Sequence, residues 1–100
     1  TSEVSVAEAT QAYITVLDAL KLEQRAVDEL QPHLSDLMAS LTKVPGLSSA
    51  TFHGLTQVEA WLQKMNLMRA VDNIEDDDAR QCIFDIDASY NAFHAFLRAR

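Results

Sequence analysis

Residues 80–100 are apolar on two sides of a helix, in a chain that is otherwise acidic. Wound at 3.6 residues per turn, Ile83, Ile86, Tyr90, Phe93 and Leu97 fall on one stripe, the expected core face of an amphipathic helix. Phe84, Ala88 and Ala95 fall on roughly the opposite side, with Asn91 among them. Such a helix needs more than one neighbour, or a partner from outside its own domain. Turn residues are scarce: two glycines and two prolines in 100 residues. Elements must therefore be long, which is helical composition, since β-rich domains of this size need many more turn residues.

The remaining helices read from their caps and stripes. Ser5 with Glu8 three residues on forms a capping box for helix one. Val6, Ala9, Tyr13, Val16, Leu17 and Leu20 follow at helical spacing. Pro32 is tolerated only near a helix start, so the long apolar run is broken around 24–27, with Asp28 as the next N-cap. Leu30, Leu34, Leu37, Met38 and Leu41 then line the inner face of helix two, to about Thr42. The span 44–54 holds Pro45, Gly46, two serines and Gly54, and reads as the longest loop. Thr56 and Glu59 form a second capping box, followed by a buried stripe of Leu55, Val58, Leu62 and Met65 with Trp61 beside it. After a connector over 66–74, the acid run 75–78 occupies the first turn of helix four, where negative charge complements the helix end. Four amphipathic helices with short-to-medium loops predict an all-α four-helix bundle, up-and-down, in a single domain over 1–100. A helical array is the alternative. The chain starts at Thr1 rather than Met and reads as a piece of a longer protein.

Charge excludes some functions. Fifteen acidic residues against eight basic give a net charge of −7, and the basic residues are scattered singly. Nucleic acid and anionic lipid both call for clustered Lys and Arg, so neither is an expected partner. No run approaches the roughly 20 apolar residues of a membrane span, and no signal peptide is visible. The lone Cys82 cannot form an internal disulfide, which suits a reducing compartment.

Chemistry finds little footing. His33, His53 and His94 lie on different elements, none at a metal spacing with Cys82. The acid-rich stretch 72–78 lacks the glycine and terminal glutamate of a calcium loop. There is no nucleophile elbow and no glycine-rich phosphate loop. Asp85 and Asp87, two apart, do not face one another on a helix. No enzyme, cofactor or metal is expected. What remains is surface recognition. Ile14 and Leu22 lie off the core stripe of helix one among Asp18, Lys21 and Arg25. Single exposed apolar residues are common; the sharper reading is a docking face of apolar anchors in a charged rim. Phe84 with Ala88 and Ala95 on helix four carries the same two readings.

Two segments go beyond periodicity. One is Ile14-Thr15-Val16-Leu17-Asp18-Ala19-Leu20-Lys21-Leu22-Glu23, continuing through Arg25-Ala26-Val27-Asp28-Glu29-Leu30-Gln31-Pro32. The other is Ile83-Phe84-Asp85-Ile86-Asp87-Ala88-Ser89-Tyr90-Asn91-Ala92-Phe93. With a matching Trp61 between them, the chain resembles the C-terminal domain of the vacuolar protein sorting-associated protein 28 family, from about Ala12 to Arg98. The resemblance is weakest over 44–56 and 65–78. It implies a four-helix adaptor domain of an ESCRT-I subunit, cytoplasmic and peripherally recruited to endosome membranes. Its implied partners are the GLUE-domain subunit of ESCRT-II and, in addition, ESCRT-III, with the ESCRT-I core reached through an N-terminal region absent here. The implied process is sorting of ubiquitinated cargo into multivesicular endosomes. Carried onto matching positions, the partner-binding residues are Asp18, Lys21, Leu22 and Arg25 on helix one, with Phe84 and Asp85 on helix four. A purely architectural bundle is the competing reading.

Overall fold

The structure, a computed structural model, describes residues 2–99; Thr1 and Arg100, the latter closing the apolar C-terminal segment, lie outside the described residues. Four helices follow in order: α1 (Ser2–Lys21), α2 (Val27–Thr42), α3 (Gly54–Asn66) and α4 (Asp76–Ala99). Each packs on its chain neighbours, and α1 meets α4 to close the ring. Long-range bonds fix the directions. Tyr13 at the middle of α1 bonds Ser89 of α4, while Arg25, just past α1, pairs with Asp76 at the start of α4. Gly54 at the start of α3 meets Ser89 of α4, and Lys64 near its end meets Asp78. The backbone at the start of α2 bonds that of residues 70–72, just beyond α3. Neighbours are thus antiparallel, the up-and-down arrangement that short connections impose.

The core follows the sequence stripes. Ala9, Tyr13, Val16, Leu17 and Leu20 of α1 are buried against Leu30, Leu34, Leu37 and Leu41 of α2, Val58 and Met65 of α3, and Ile86 and Phe93 of α4. Cys82 is buried as a small apolar group. The stripe positions Ile83, Tyr90 and Leu97 are half-buried at the margin of the core. In α3 the sequence order is reversed, because Trp61 is buried and Leu62 half-buried. Phe52, from the 43–53 loop, plugs one end of the bundle with its ring against Phe93 and Phe96.

Three helix starts differ from expectation. Helix α1 begins at Ser2, so Ser5 and Glu8 lie within it rather than capping it. The N-cap of α2 is Ala26, in extended conformation, and Asp28 sits in the first turn. The connector does part of the capping there. Val27 N–H donates to the Asp72 carbonyl and Asp28 N–H to that of Ala70, which satisfies two of the free donors of a helix start. In α3 the helix begins at Gly54 with His53 before it, and the Thr56 hydroxyl donates back to the His53 carbonyl at 2.7 Å. Reaching for a carbonyl, that hydroxyl is not caging free N–H groups.

The end of α1 is a Schellman turn without glycine. Gln24 N–H donates to the Ala19 carbonyl and Glu23 N–H to that of Leu20, with Glu23 held at φ 66°. An antiparallel bridge between Ala26 and Asn73 ties this turn to the connector that leads into α4. Gly54 is needed for a different reason, close approach. A Cβ there would sit 2.4 Å from the Phe52 ring and 2.8 Å from Ser89 Oγ.

Candidate protein-docking face

The antiparallel register of α1 and α4 sets what their shared face presents. Tyr13 is level with Ser89 and Arg25 with Asp76, so the stretch from Asp18 to Leu22 runs opposite the stretch from Phe84 back to Arg80. Both helices turn their core stripes inward, and the residues left on the outside include the sequence-derived candidates.

Asp18 and Lys21 are exposed, and among the described residues neither side chain has an ion-pair or hydrogen-bond partner. Leu22, just past the last turn of α1, is 76% exposed, and Phe84 is 69% exposed. Ile14 is exposed on α1, and Ala88 is half-buried on α4. Helix α4 therefore meets the demand of its two apolar faces with only two neighbours. One face enters the core between α3 and α1, and Phe84 is left in solvent.

Two candidates are held internally. The Arg25 guanidinium donates from Nη1 to the carbonyls of Leu20 and Gln24 and from Nε to Asp76, with its side chain 22% exposed. It thus covers carbonyls freed at the end of α1, where a cation is favourable, and it clamps the turn to α4. Asp85 accepts the Trp61 indole N–H at 2.7 Å on one oxygen and the Gln81 amide at 2.9 Å on the other. Lys64 lies 5.0 Å over the Trp61 ring and pairs with Asp78, completing a polar seam along α3 and α4. Asp18, Lys21, Leu22 and Phe84 are thus exposed on α1, the turn after it and α4, whereas Arg25 ties that turn to α4 and Asp85 ties α4 to α3.

Sequence reasoning missed one polar residue of the core. Ser89 is fully buried, donates to the Gly54 carbonyl at 2.9 Å, and lies 2.8 Å from the Tyr13 hydroxyl. Since the single serine proton goes to the carbonyl, Tyr13 is the donor of the second bond. Burial drives the Tyr13 phenol well above its ordinary range, with the Ser89 bond opposing in part. The signal available was a serine four residues from Phe93, on the inner stripe of α4.

For small-molecule chemistry the arrangement offers little. A shallow groove of about 390 Å³ runs between α1 and α2, past Ala12, Thr15, His33, Asp36 and Ser40. No cluster of three or more His, Cys, Asp or Glu is placed to hold a metal among the described residues. His94 stacks edge-on against Tyr90 at 4.5 Å. The Cys82 thiol is pushed up to about 12, first by burial and then by the Asp85 carboxylate, so it carries almost no nucleophilic thiolate at neutral pH. No helix among the described residues is long and apolar enough to cross a membrane.

Comparison with known proteins agrees with this architecture. The model of the VPS28 protein family matches residues 1–97. The chain belongs to that family. It is 42% identical over 95 residues to vacuolar protein sorting-associated protein 28 of Dictyostelium discoideum, covering 95% of this chain and 33% of that protein. Homolog 2 of Arabidopsis thaliana is 44% identical over 92% of this chain and 43% of its own length. The chain thus spans a third to under half of these curated relatives. In structure it is similar to the yeast ESCRT-I Vps28 C-terminus, with a TM-score of 0.83 at 34% identity, covering 91% of this chain and 89% of that one. A second crystal structure, of the C-terminal domain of Vps28, gives a TM-score of 0.82. The four-helix fold read from the sequence is the fold of these domains.

Proposed function

We propose that this chain is a non-enzymatic adaptor domain of an ESCRT-I subunit. It binds downstream ESCRT-II and ESCRT-III components during ubiquitin-dependent sorting of membrane cargo into multivesicular endosomes. The contact is made by the outer α1/α4 face: Leu22 and Phe84 are the apolar anchors, Asp18 and Lys21 the charged rim, and Arg25 and Asp85 hold the helices that carry them. The observation behind this reading is the exposed Phe84. An aromatic ring in solvent on α4 and an exposed leucine at the end of α1, on elements braced by internal bonds, have the composition of a protein-interface centre. Membership of a vacuolar sorting family supplies the kind of partner.

The domain acts as a rigid surface. Its helices are fixed by the core and by the bonds of Arg25 and Asp85, so binding orders little beyond the exposed side chains themselves. In a cell it works from the cytoplasmic side, brought to endosome membranes through other subunits.

The test is calorimetric titration of purified ESCRT-II and ESCRT-III subunits, the GLUE-domain subunit first, into this chain. Phe84→Ala, or Asp18→Lys with Lys21→Glu, weakens capture at least tenfold, while thermal unfolding stays within about 0.5 kcal/mol of the parent, as for exposed surface changes. A sharp loss of stability would make those residues structural. Absence of saturable binding to any subunit would leave the architectural reading standing.

A further inference from the structure

The opposite ends of the bundle differ, and the end carrying the α1–α2 turn and the 67–75 connector is built unlike a solvated loop region. Leu67 is 90% exposed and Val71 77% exposed, yet the chain bearing them is not loose. Backbone bonds join Val27 to Asp72, Asp28 to Ala70 and Ile74 to Arg25, and the Arg69 N–H and guanidinium both donate to Asp72. Two large aliphatic side chains are therefore held out in water by a pinned segment.

Beside them lies a cleft of about 200 Å³ between the start of α2, the end of α3 and the connector. Its lining sets Met68 and Ala70 beside Asp28, Gln31 and Asn66, over the buried Val27 and Met65, and the Gln31 amide donates to Asn66 at 3.1 Å. Asp28 does not cap α2, and its side chain has no hydrogen-bond or ion-pair partner among the described residues. The charge around this end is one-sided. Arg25, Lys64, Arg69 and Arg80 are each paired with an aspartate. Glu23, Asp28, Glu29 and Glu75 have no such partner among the described residues, and only Lys21 opposes them.

A cleft that combines methionine and alanine side chains with an unpaired aspartate suits a long cationic side chain, whose alkyl stem is covered while its head stays polar. We propose that this cleft docks a basic, apolar-flanked segment of another protein. A lysine or arginine stem lies over Met68 and Ala70 with its head on Asp28, and apolar neighbours of that segment rest on Leu67 and Val71. The unmatched carboxylates steer such a segment in and turn anionic surfaces away. This site is separate from the α1/α4 face and does not depend on it.

The test is an NMR titration of the methyl-labelled chain with a capped peptide of alternating leucine and arginine, and with its leucine–glutamate counterpart. The cationic peptide is expected to shift the methyl signals of Val27, Met65, Met68, Leu67 and Val71 saturably, and the anionic one is expected not to. Asp28→Asn should weaken binding about tenfold, the effect of losing one charge-assisted hydrogen bond. Leu67→Ser with Val71→Ser should weaken it further, and Phe84→Ala should leave it unchanged. Equal shifts with both peptides, non-saturating shifts spread over every acidic face, or no shift at these methyls would each overturn the proposal.

Discussion

The seam where α1, α3 and α4 meet and the end formed by the connector handle polarity in opposite ways. In the seam, polar groups are buried and all satisfied: Tyr13 donates to Ser89, Ser89 donates to the Gly54 carbonyl, and the Phe52 ring closes over Gly54. At the connector end, large apolar side chains are exposed and Glu23, Asp28, Glu29 and Glu75 have no cation partner among the described residues, although backbone bonds pin the segment to the start of α2. A satisfied buried chain of hydrogen bonds is sensitive to every member, because deleting one strands another away from water. An exposed apolar group can be removed with little cost to the fold. The contrast separates residues that hold this molecule together from residues available to other molecules.

Substitutions can break or sharpen that contrast. The largest effect is expected at Gly54→Ala, which places a Cβ against the Phe52 ring and Ser89. Overpacking of this kind costs about 2–3 kcal/mol, and calorimetry should show Tm falling by roughly 10 °C or more. Next comes Ser89→Ala at about 2 kcal/mol, since it leaves the Tyr13 hydroxyl buried without a partner and removes the second bond to the Gly54 carbonyl. Tyr13→Phe keeps the serine-to-carbonyl bond and should cost only about 1 kcal/mol by urea unfolding. Equal losses for those two would mean that the seam is not a directional chain. At the turn after α1, Glu23→Gly should stabilise by about 1 kcal/mol, because the left-handed conformation penalises a side chain. The smallest effect belongs to Leu67→Ser with Val71→Ser, each within about 0.5 kcal/mol. A large loss there would place those residues on the structural side.

Alkaline pH offers a further check on the interior. Tyr13 and Cys82 are both neutral when protonated, and burial raises both above their unfolded values of 10.0 and 9.0. The unfolded chain therefore releases these protons first. Stability is whole below about pH 9 and falls as pH rises from there toward 12, the Cys82 share being lost first. Urea midpoints measured across that range should decline, and Cys82→Ala should flatten the onset.

The helices were legible because stripes such as Leu30, Leu34, Leu37 and Leu41 repeat at helical spacing, which is a local signal. The helix ends were less so. Ser5 and Glu8 have a capping pattern, but helix formation continues back to Ser2. Asp28 is displaced as a cap by carbonyls of residues 70 and 72, a pairing that no local pattern contains. Among the site residues, exposure at Asp18, Lys21, Leu22 and Phe84 follows from helical winding. The internal roles of Arg25 and Asp85 depend on partners 51 and 24 residues away, so nothing nearby in the chain announces them. Leu67 and Val71 attracted no notice in the sequence because a connector has no period against which an exposed residue stands out.

An even number of antiparallel helices brings the first residue of α1 and the last of α4 to the same pole of a body measuring 39 × 23 × 21 Å. Anything covalently joined to either terminus departs from that pole. The tip bearing Leu67, Val71 and Asp28 therefore points away from any such attachment, at the far end of the long axis. A molecule gripped there is held at arm's length from whatever anchors the chain, while one held on the α1/α4 flank lies alongside it.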